Sequence, residues 1–418
     1  MNSLIQGKYY LFYIRDTLPQ PEAHIVQMVH LANAAANLGH QAVLVYLQKG
    51  SKAFSPLNVI FPFRPRQPEE ALRNYYNLEN KLQVSPLPMP YPVDAIKSKF
   101  FDSSTLSCKY YLPFHLSQST KLVHSRDWNF VKAAVKQGIP AIYERDHYEK
   151  KRYEAEIVNN PLFKMAVTVA DPVKDNLISN GMPPEKVIKL HNGFNRLFFT
   201  RHPEAALEWR KKLLGSEYQQ LVVYAGALYP FKGINLLIDI APQFPQVMFA
   251  LAGGSEEQIQ EYKQLIQDKQ VNNVKLLGYL PHNSLASLLQ AGDALVYPHL
   301  SGEAANFTSP MKLFDYIAAG KPIVATTIPP LAEFKSSPLV AGWCEPNNPQ
   351  AFADSLRQVL ATYPQWQIEH IHDEELVQQF SWEYRIEKLL TKVFYRIGKD
   401  IFGIAESKYD NHTKKPNS

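Results

Sequence analysis

Residues 306–327 read NFTSPMKLFDYIAAGKPIVATT. The polar pair Thr308-Ser309 stands ahead of Pro310, and a small hydroxyl residue before a first-turn proline is a helix start. Gly320 ends the helix, because glycine accepts the left-handed conformation just past a last turn. The β-branched run that follows suits a buried strand. The stretch predicts a loop, a helix over 310–319, a turn and a strand over 322–325, one step of a parallel α/β sheet. A helix start with free N–H groups is also a seat for an anion such as a diphosphate. Lys312 lies in that first turn, and Asp315 falls near one turn into the helix. The two also fit a plain i,i+3 surface pair, so the surrounding chain has to decide.

The same alternation fills the second half. Short apolar strands are expected near 221–224, 247–251, 274–277 and 294–297, each followed by a turn and most by a helix. Glycines mark these turns, at Gly226 in AGALYPFKG, at Gly253-Gly254, and at Gly278 before Tyr279 and Leu280. Glycine lets a backbone close on a phosphate, and the Lys232 ammonium at the next helix start supplies charge. Several such turns meeting at one sheet edge with Ser309 and Lys312 would make a phosphate site.

The first half opens as a βαβ unit: the strand YYLFYI (9–14), a helix over 22–38 stopped by Gly39, and the strand QAVLVYL (41–47). The loop after the first strand, RDTLPQPEAH, carries no glycine, whereas a dinucleotide-binding fold has G-x-G-x-x-G there. A nicotinamide-dependent dehydrogenase is therefore disfavoured. Arg15, Asp16 and His24 of this loop are candidate cleft contacts. Residues 48–118 hold many prolines and aromatics without periodicity, and read as strands or loops wrapped by short helices. Further on, a strand twice delivers a His with an acid into a loop, at LVHSRDW (122–128) and IYERDH (142–147). That is how an α/β sheet presents polar chemistry at its carboxyl edge, and it marks His124, Arg126, Glu144 and His147.

The totals agree. A chain of 418 residues suits two ordinary domains, and 45% hydrophobic with 20% charged residues is a globular composition. A net charge of +5 spread along the chain argues against a dedicated nucleic-acid binder, while allowing phosphate-bearing ligands or an anionic membrane surface. Two distant cysteines, Cys108 and Cys344, have no metal-ligand spacing and fit free thiols in a reducing compartment. The start MNSLIQGK has no apolar core of leader length, and no apolar run is long enough to span a membrane, so a cytoplasmic location is expected.

The chain from about 221 to 333 resembles glycosyltransferase family 4, retaining group 1 enzymes of GT-B architecture. The matching segments are YAGALYPFKG, FALAGG, VKLLGYLPHNSL, DALVYP and SPMKLFDYIAAGKPIVAT. VHSRDW and HNGFN match more loosely in the first half. The resemblance implies two Rossmann-like, doubly wound α/β domains facing a central cleft. The first, over 1–205, would take the acceptor, and the second, over 206–376, the nucleotide sugar. Residues 377–400 would be a helix crossing back to the first domain, and 401–418 a polar tail.

It also implies roles, position by position. Lys232 would hold the donor diphosphate, assisted by backbone N–H groups of Ser309, Met311 and Lys312 and by the turns at Gly226, Ala227 and Gly253. Gly278, Tyr279 and Leu280 would meet the nucleobase, and Asp315 the ribose hydroxyls. His124, or a residue of 144–147, would help place the sugar, with Arg15, Asp16, Arg126, Glu144 and His147 as acceptor-side cleft residues. Two positions depart from the family pattern. Phe307 stands where an acid contacts the sugar, with Glu303 and Glu333 as stand-ins, and Ala227 stands where an arginine is frequent. The implied reaction is retaining transfer from a nucleotide sugar to an unidentified acceptor, with no cofactor and no obligatory metal. A relative that binds the nucleotide sugar or a protein partner without transfer is the alternative.

Overall fold

The computed structural model describes residues 8–49, 60–89, 94, 102–302, 310–370 and 374–394, the side chains of 365–370 excepted. Two parallel sheets organise them. The first contains β1 (Tyr9–Tyr13), β2 (Ala42–Lys49), β3 (Gln83–Met89), β4 (Thr120–Ser125), β5 (Ala141–Glu144), β6 (Phe163–Thr168) and β7 (Val187–Lys189). Its strand order is β3-β2-β1-β4-β5-β6-β7. The second contains β8 (Gln220–Ala225), β9 (Val247–Ala252), β10 (Val274–Gly278), β11 (Ala294–Tyr297), β12 (Ile323–Thr326) and β13 (Gly342–Cys344), in the order β10-β9-β8-β11-β12-β13.

Each sheet starts in its middle, winds to one edge and returns to build the other. Its topological switch point therefore lies beside the first strand, between β1 and β4 in one sheet and between β8 and β11 in the other. In open α/β sheets, ligands bind outside the carboxyl ends of the strands at that crevice. The strands are apolar on both faces, as in β9 (VMFALA), where every residue is buried, because helices cover both sides of a parallel sheet.

The helix of the opening stretch runs Met311–Ala319, with Pro310 just outside it and Gly320 left-handed at φ 69°. One face of that helix packs into the second core through Leu313, Phe314 and Ile317. In 48–118, the strand β3 (QVSPLPM) lies at the edge of the sheet, where prolines are tolerated.

The chain changes cores earlier than a boundary at 205. Phe194 and Phe198 already belong to the second core, and residue 205 falls inside the helix Pro203–Leu214. The joining segment is aromatic, so its composition does not read as a linker. The helix Trp382–Phe394 returns to the first domain, burying Trp382, Ile386, Leu389, Leu390 and Val393 with Ile25, Val29 and Ala32 of the helix Ala23–Asn37. The outgoing and returning segments touch directly, since Phe194 N donates to Phe380 O at 3.0 Å.

Candidate functional site

The second domain gathers its glycine turns at the carboxyl edge of its sheet. Gly226 N donates to Ala252 O at 2.9 Å, and Gly253 N donates to Gly278 O at 2.7 Å, so the turns after β8, β9 and β10 are joined side by side. The Lys232 turn is seated on the loop after β11. Leu300 N donates to Phe231 O at 2.9 Å. Gly233, at φ 77°, passes so close to Pro298 that a Cβ would sit 1.9 Å from its carbonyl oxygen. Lys232 follows at the end of the short turn Pro230–Lys232, with its ammonium 4.9 Å from the Phe231 ring centre.

Among the described residues, Lys232 has no hydrogen bond or ion pair. Burial, with the charge of Lys312 second, pushes its pKa down to about 8. Among the described residues, two cations thus meet where no carboxylate balances Lys232. That is an arrangement for a ligand anion, because a buried unpaired charge otherwise costs several kcal/mol, roughly.

The helix Met311–Ala319 presents its start to the same edge, and no side chain among the described residues caps it. It is tied to β8 by Ala225 N donating to Tyr316 Oη at 2.7 Å. Lys312 and Asp315 do form the i,i+3 pair, at 3.3 Å, but Asp315 is buried and accepts weakly from Asn195 N at 3.5 Å. Burial raises the Asp315 pKa, opposed by Lys312. Tyr279 is 74% exposed beside these turns, Leu280 packs against the core, and Ala227 is exposed, its carbonyl accepting from Tyr224 Oη at 2.8 Å. Phe307, Ser309 and Glu303 lie outside the described residues. Glu333 is engaged elsewhere, by Lys189 and His191 of the first domain.

His299 escaped the sequence reading. It is buried after β11, with its ring 3.9 Å from that of Tyr297. Burial and the Lys232 charge keep it neutral by lowering its pKa strongly, and its Nδ1 has no partner among the described residues. Its place just beyond a strand end, in YPHL, was the available signal.

In the first domain the register Tyr13–Ser125–Tyr143 sets the next residues of β1, β4 and β5 level at the carboxyl edge. Arg15, Asp16, Arg126 and His147 all emerge there. Arg15 donates to Ser103 Oγ at 3.0 Å, Arg126 bonds Asp146, and His147 is exposed. His24 joins them, its pKa lowered by burial, then by Arg126.

His124 and Glu144 are placed differently from a cleft contact. Both side chains are 0% exposed, and His124 Nε2 lies 3.0 Å from Glu144 Oε1. Burial lowers the His124 pKa and keeps the ring neutral. Its Nε2–H therefore donates to the carboxylate and Nδ1 accepts from Tyr10 Oη at 2.8 Å. Burial opposes the Glu144 charge, yet Arg385 and His124 outweigh it and hold the carboxyl below its usual range. Both imidazole nitrogens are engaged, so His124 holds the sheet interior together and offers no free atom to a sugar.

Among the described residues no group of three or more His, Cys, Asp or Glu could hold a metal, and no helix is long and apolar enough to cross a membrane.

Residues 206–369 match the family model described as glycosyl transferases group 1. An uncharacterized glycosyltransferase of Methanocaldococcus jannaschii is 23% identical over 248 residues, covering 57% of this chain and 61% of that protein. A D-inositol 3-phosphate glycosyltransferase of Corynebacterium urealyticum is 28% identical over 208 residues, covering 46% and 47%. The chain thus spans about half to three fifths of the length of these curated relatives. Among solved structures, HepE of Anabaena in complex with UDP and glucose superposes with a TM-score of 0.62 at 16% identity, over 92% of this chain and 99% of that one. The fold is the GT-B architecture of glycosyltransferases, two Rossmann-like domains with parallel sheets.

Proposed function

We propose that this protein transfers a sugar from a nucleoside diphosphate sugar to a hydroxyl acceptor with retention of anomeric configuration. The observation that carries the reading is Lys232, a half-buried ammonium with no counter-ion among the described residues, held by stitched glycine turns beside Lys312 and the start of the helix Met311–Ala319. The match of 206–369 to group 1 glycosyltransferases and the UDP held by the structurally similar HepE support it.

In this reading the bond from the anomeric carbon to the β-phosphate oxygen breaks while the acceptor oxygen bonds the same face. The acceptor proton passes to the leaving phosphate oxygen. The charge developing there is met by Lys232, Lys312 and the helix start, preorganised so that little rearrangement accompanies the step. The nucleobase would lie by Gly278–Leu280, the ribose by Asp315 and the acceptor by Arg15, Asp16, Arg126 and His147. The nucleotide sugar is the co-substrate, and no step is routed through a metal.

A panel of UDP-, GDP- and ADP-sugars read by thermal shift tests the donor, since a ligand at about 100 times its Kd adds roughly 2.7 kcal/mol. Proton NMR of the product of the stabilising donor then reads the anomer. Stabilisation by one nucleotide class and an unchanged anomer are expected. No stabilisation by any donor contradicts the reading. Binding without turnover favours the non-catalytic alternative, for which the uncharged Ala227 at the phosphate turn speaks.

A further inference from the structure

Arg385 lies on the returning helix and is buried. Its guanidinium joins three separate parts of the chain. Nη2 donates to Glu144 Oε2 at 2.7 Å, with side-chain exposures of 2% and 0%. Nη1 donates to the carbonyls of Leu190 and His191, the latter at 2.7 Å, where the chain leaves the first domain. Gln27 extends the chain of contacts. Its Nε2 donates to Asn192 Oδ1 at 3.0 Å and more weakly to Glu144 Oε2 at 3.4 Å, and its Oε1 accepts from Arg126. Arg126 in turn bonds Asp146. A continuous polar path therefore runs from the returning helix, past the domain junction, to the two partly exposed side chains at the carboxyl edge of β4 and β5.

We propose that Arg385 is a positioning residue: through Glu144 and Gln27 it holds Arg126 and Asp146 at the acceptor side, and through the Leu190 and His191 carbonyls it sets the junction from which the second domain departs. Buried charge pairs of this kind contribute geometry more than stability, because desolvation offsets their attraction. Arg385 touches no cleft surface itself. Lysine could not replace it, since the single nitrogen of an ammonium cannot reproduce the planar fork whose two Nη atoms reach the carboxylate and the two carbonyls separately. The kinetic part of the proposal rests on the transfer reading above, and the structural part does not.

The test uses the full chain with Arg385→Lys, and with Arg385→Met combined with Glu144→Gln, which removes both charges so that neither is left buried alone. Hydrogen exchange by mass spectrometry is read over 124–127, 144–147 and 190–194, UDP affinity by calorimetry, and turnover of the stabilising UDP-sugar by nucleotide release. Expected in both variants is exchange about tenfold faster in those three segments, the signature of local opening. UDP affinity should stay within about twofold and the loss of turnover should fall on kcat with donor KM unchanged. Faster exchange confined to the returning helix, or spread evenly over both domains with kcat intact, overturns the proposal. A wild type that neither binds nor turns over any UDP-, GDP- or ADP-sugar refutes the transfer reading instead, and leaves the exchange result to decide the linkage.

Discussion

His191 Nε2 lies 2.9 Å from Glu333 Oε2, joining the loop that leaves the first domain to the turn Pro329–Phe334 of the second. Lys189 Nζ stands 3.3 Å from both oxygens of the same carboxylate. Burial works against the Glu333 charge, but His191 and Lys189 hold its carboxyl below the ordinary value. A depressed carboxylate contributes stability above its unfolded pKa, 4.5, and loses it as pH falls through the folded value. Glu333→Gln should therefore lower stability at pH 7 by no more than about 1 kcal/mol, as the carboxylate is partly exposed. The difference from wild type should shrink progressively as pH falls below 4.5, read by urea unfolding at pH 7 and at a series of lower pH values.

His30 sits against Trp382, ring centres 5.9 Å apart and nearly parallel. Burial, then the nearby His282, lowers its pKa to about 4. The unfolded chain binds more protons between there and 6.5, so stability falls as pH drops through that window. His30→Phe keeps the ring stack and removes the titration. The loss of stability between pH 7 and pH 4 should shrink by up to about 3 kcal/mol in the variant, measured by denaturant unfolding.

Gly233→Ala places a methyl group 1.9 Å from the Pro298 carbonyl at a φ of 77°. The Lys232 turn must lift off the loop after β11. A loss of about 1–3 kcal/mol is expected from strain and overpacking. UDP affinity should fall at least about tenfold, equivalent to roughly 1.4 kcal/mol. Calorimetry with UDP separates the two effects, since an intact affinity would mean the turn does not carry the phosphate.

Asp315 is buried with a raised pKa, burial being the main cause. Its charge is an expense to the fold that a ribose would justify. Asp315→Asn should leave the protein as stable or more so at pH 7, and erase the preference for UDP over its 2′,3′-dideoxy analogue. Wild type should show that preference, at about tenfold or more, a hydrogen bond to a charged group being worth roughly 1.5–3 kcal/mol.

Much of this was legible in the sequence, for physical reasons. SPMKLFDYIAAG carries its own start, period and stop, and the helix observed, Met311–Ala319, differs from the expected one by a residue. The glycine turns announced a close meeting of loops at one sheet edge, because glycine is needed where three loops are stitched together. Other features had no local signal. The strand QVSPLPM could not be told from a loop within 48–118, because its prolines are tolerable only at the sheet edge. His124 stood in a strand ending in polar residues, but its partners Tyr10 and Glu144 come from other strands. Arg385 carried no local sign of its burial, because its partner Glu144 lies 241 residues earlier in the chain.

The most direct test of the account is the affinity of UDP for wild type and Lys232→Met at pH 7 and pH 9, measured by calorimetry. With a free-state pKa of about 8, Lys232 is charged at pH 7 and mostly neutral at pH 9. Wild type should bind UDP about tenfold more weakly at the higher pH, the proton having to be regained on binding. Lys232→Met should bind weakly at both, its small residual pH dependence reporting the ligand's own ionisation. Equal affinity of the variant and wild type at pH 7 would contradict the placing of the diphosphate on Lys232.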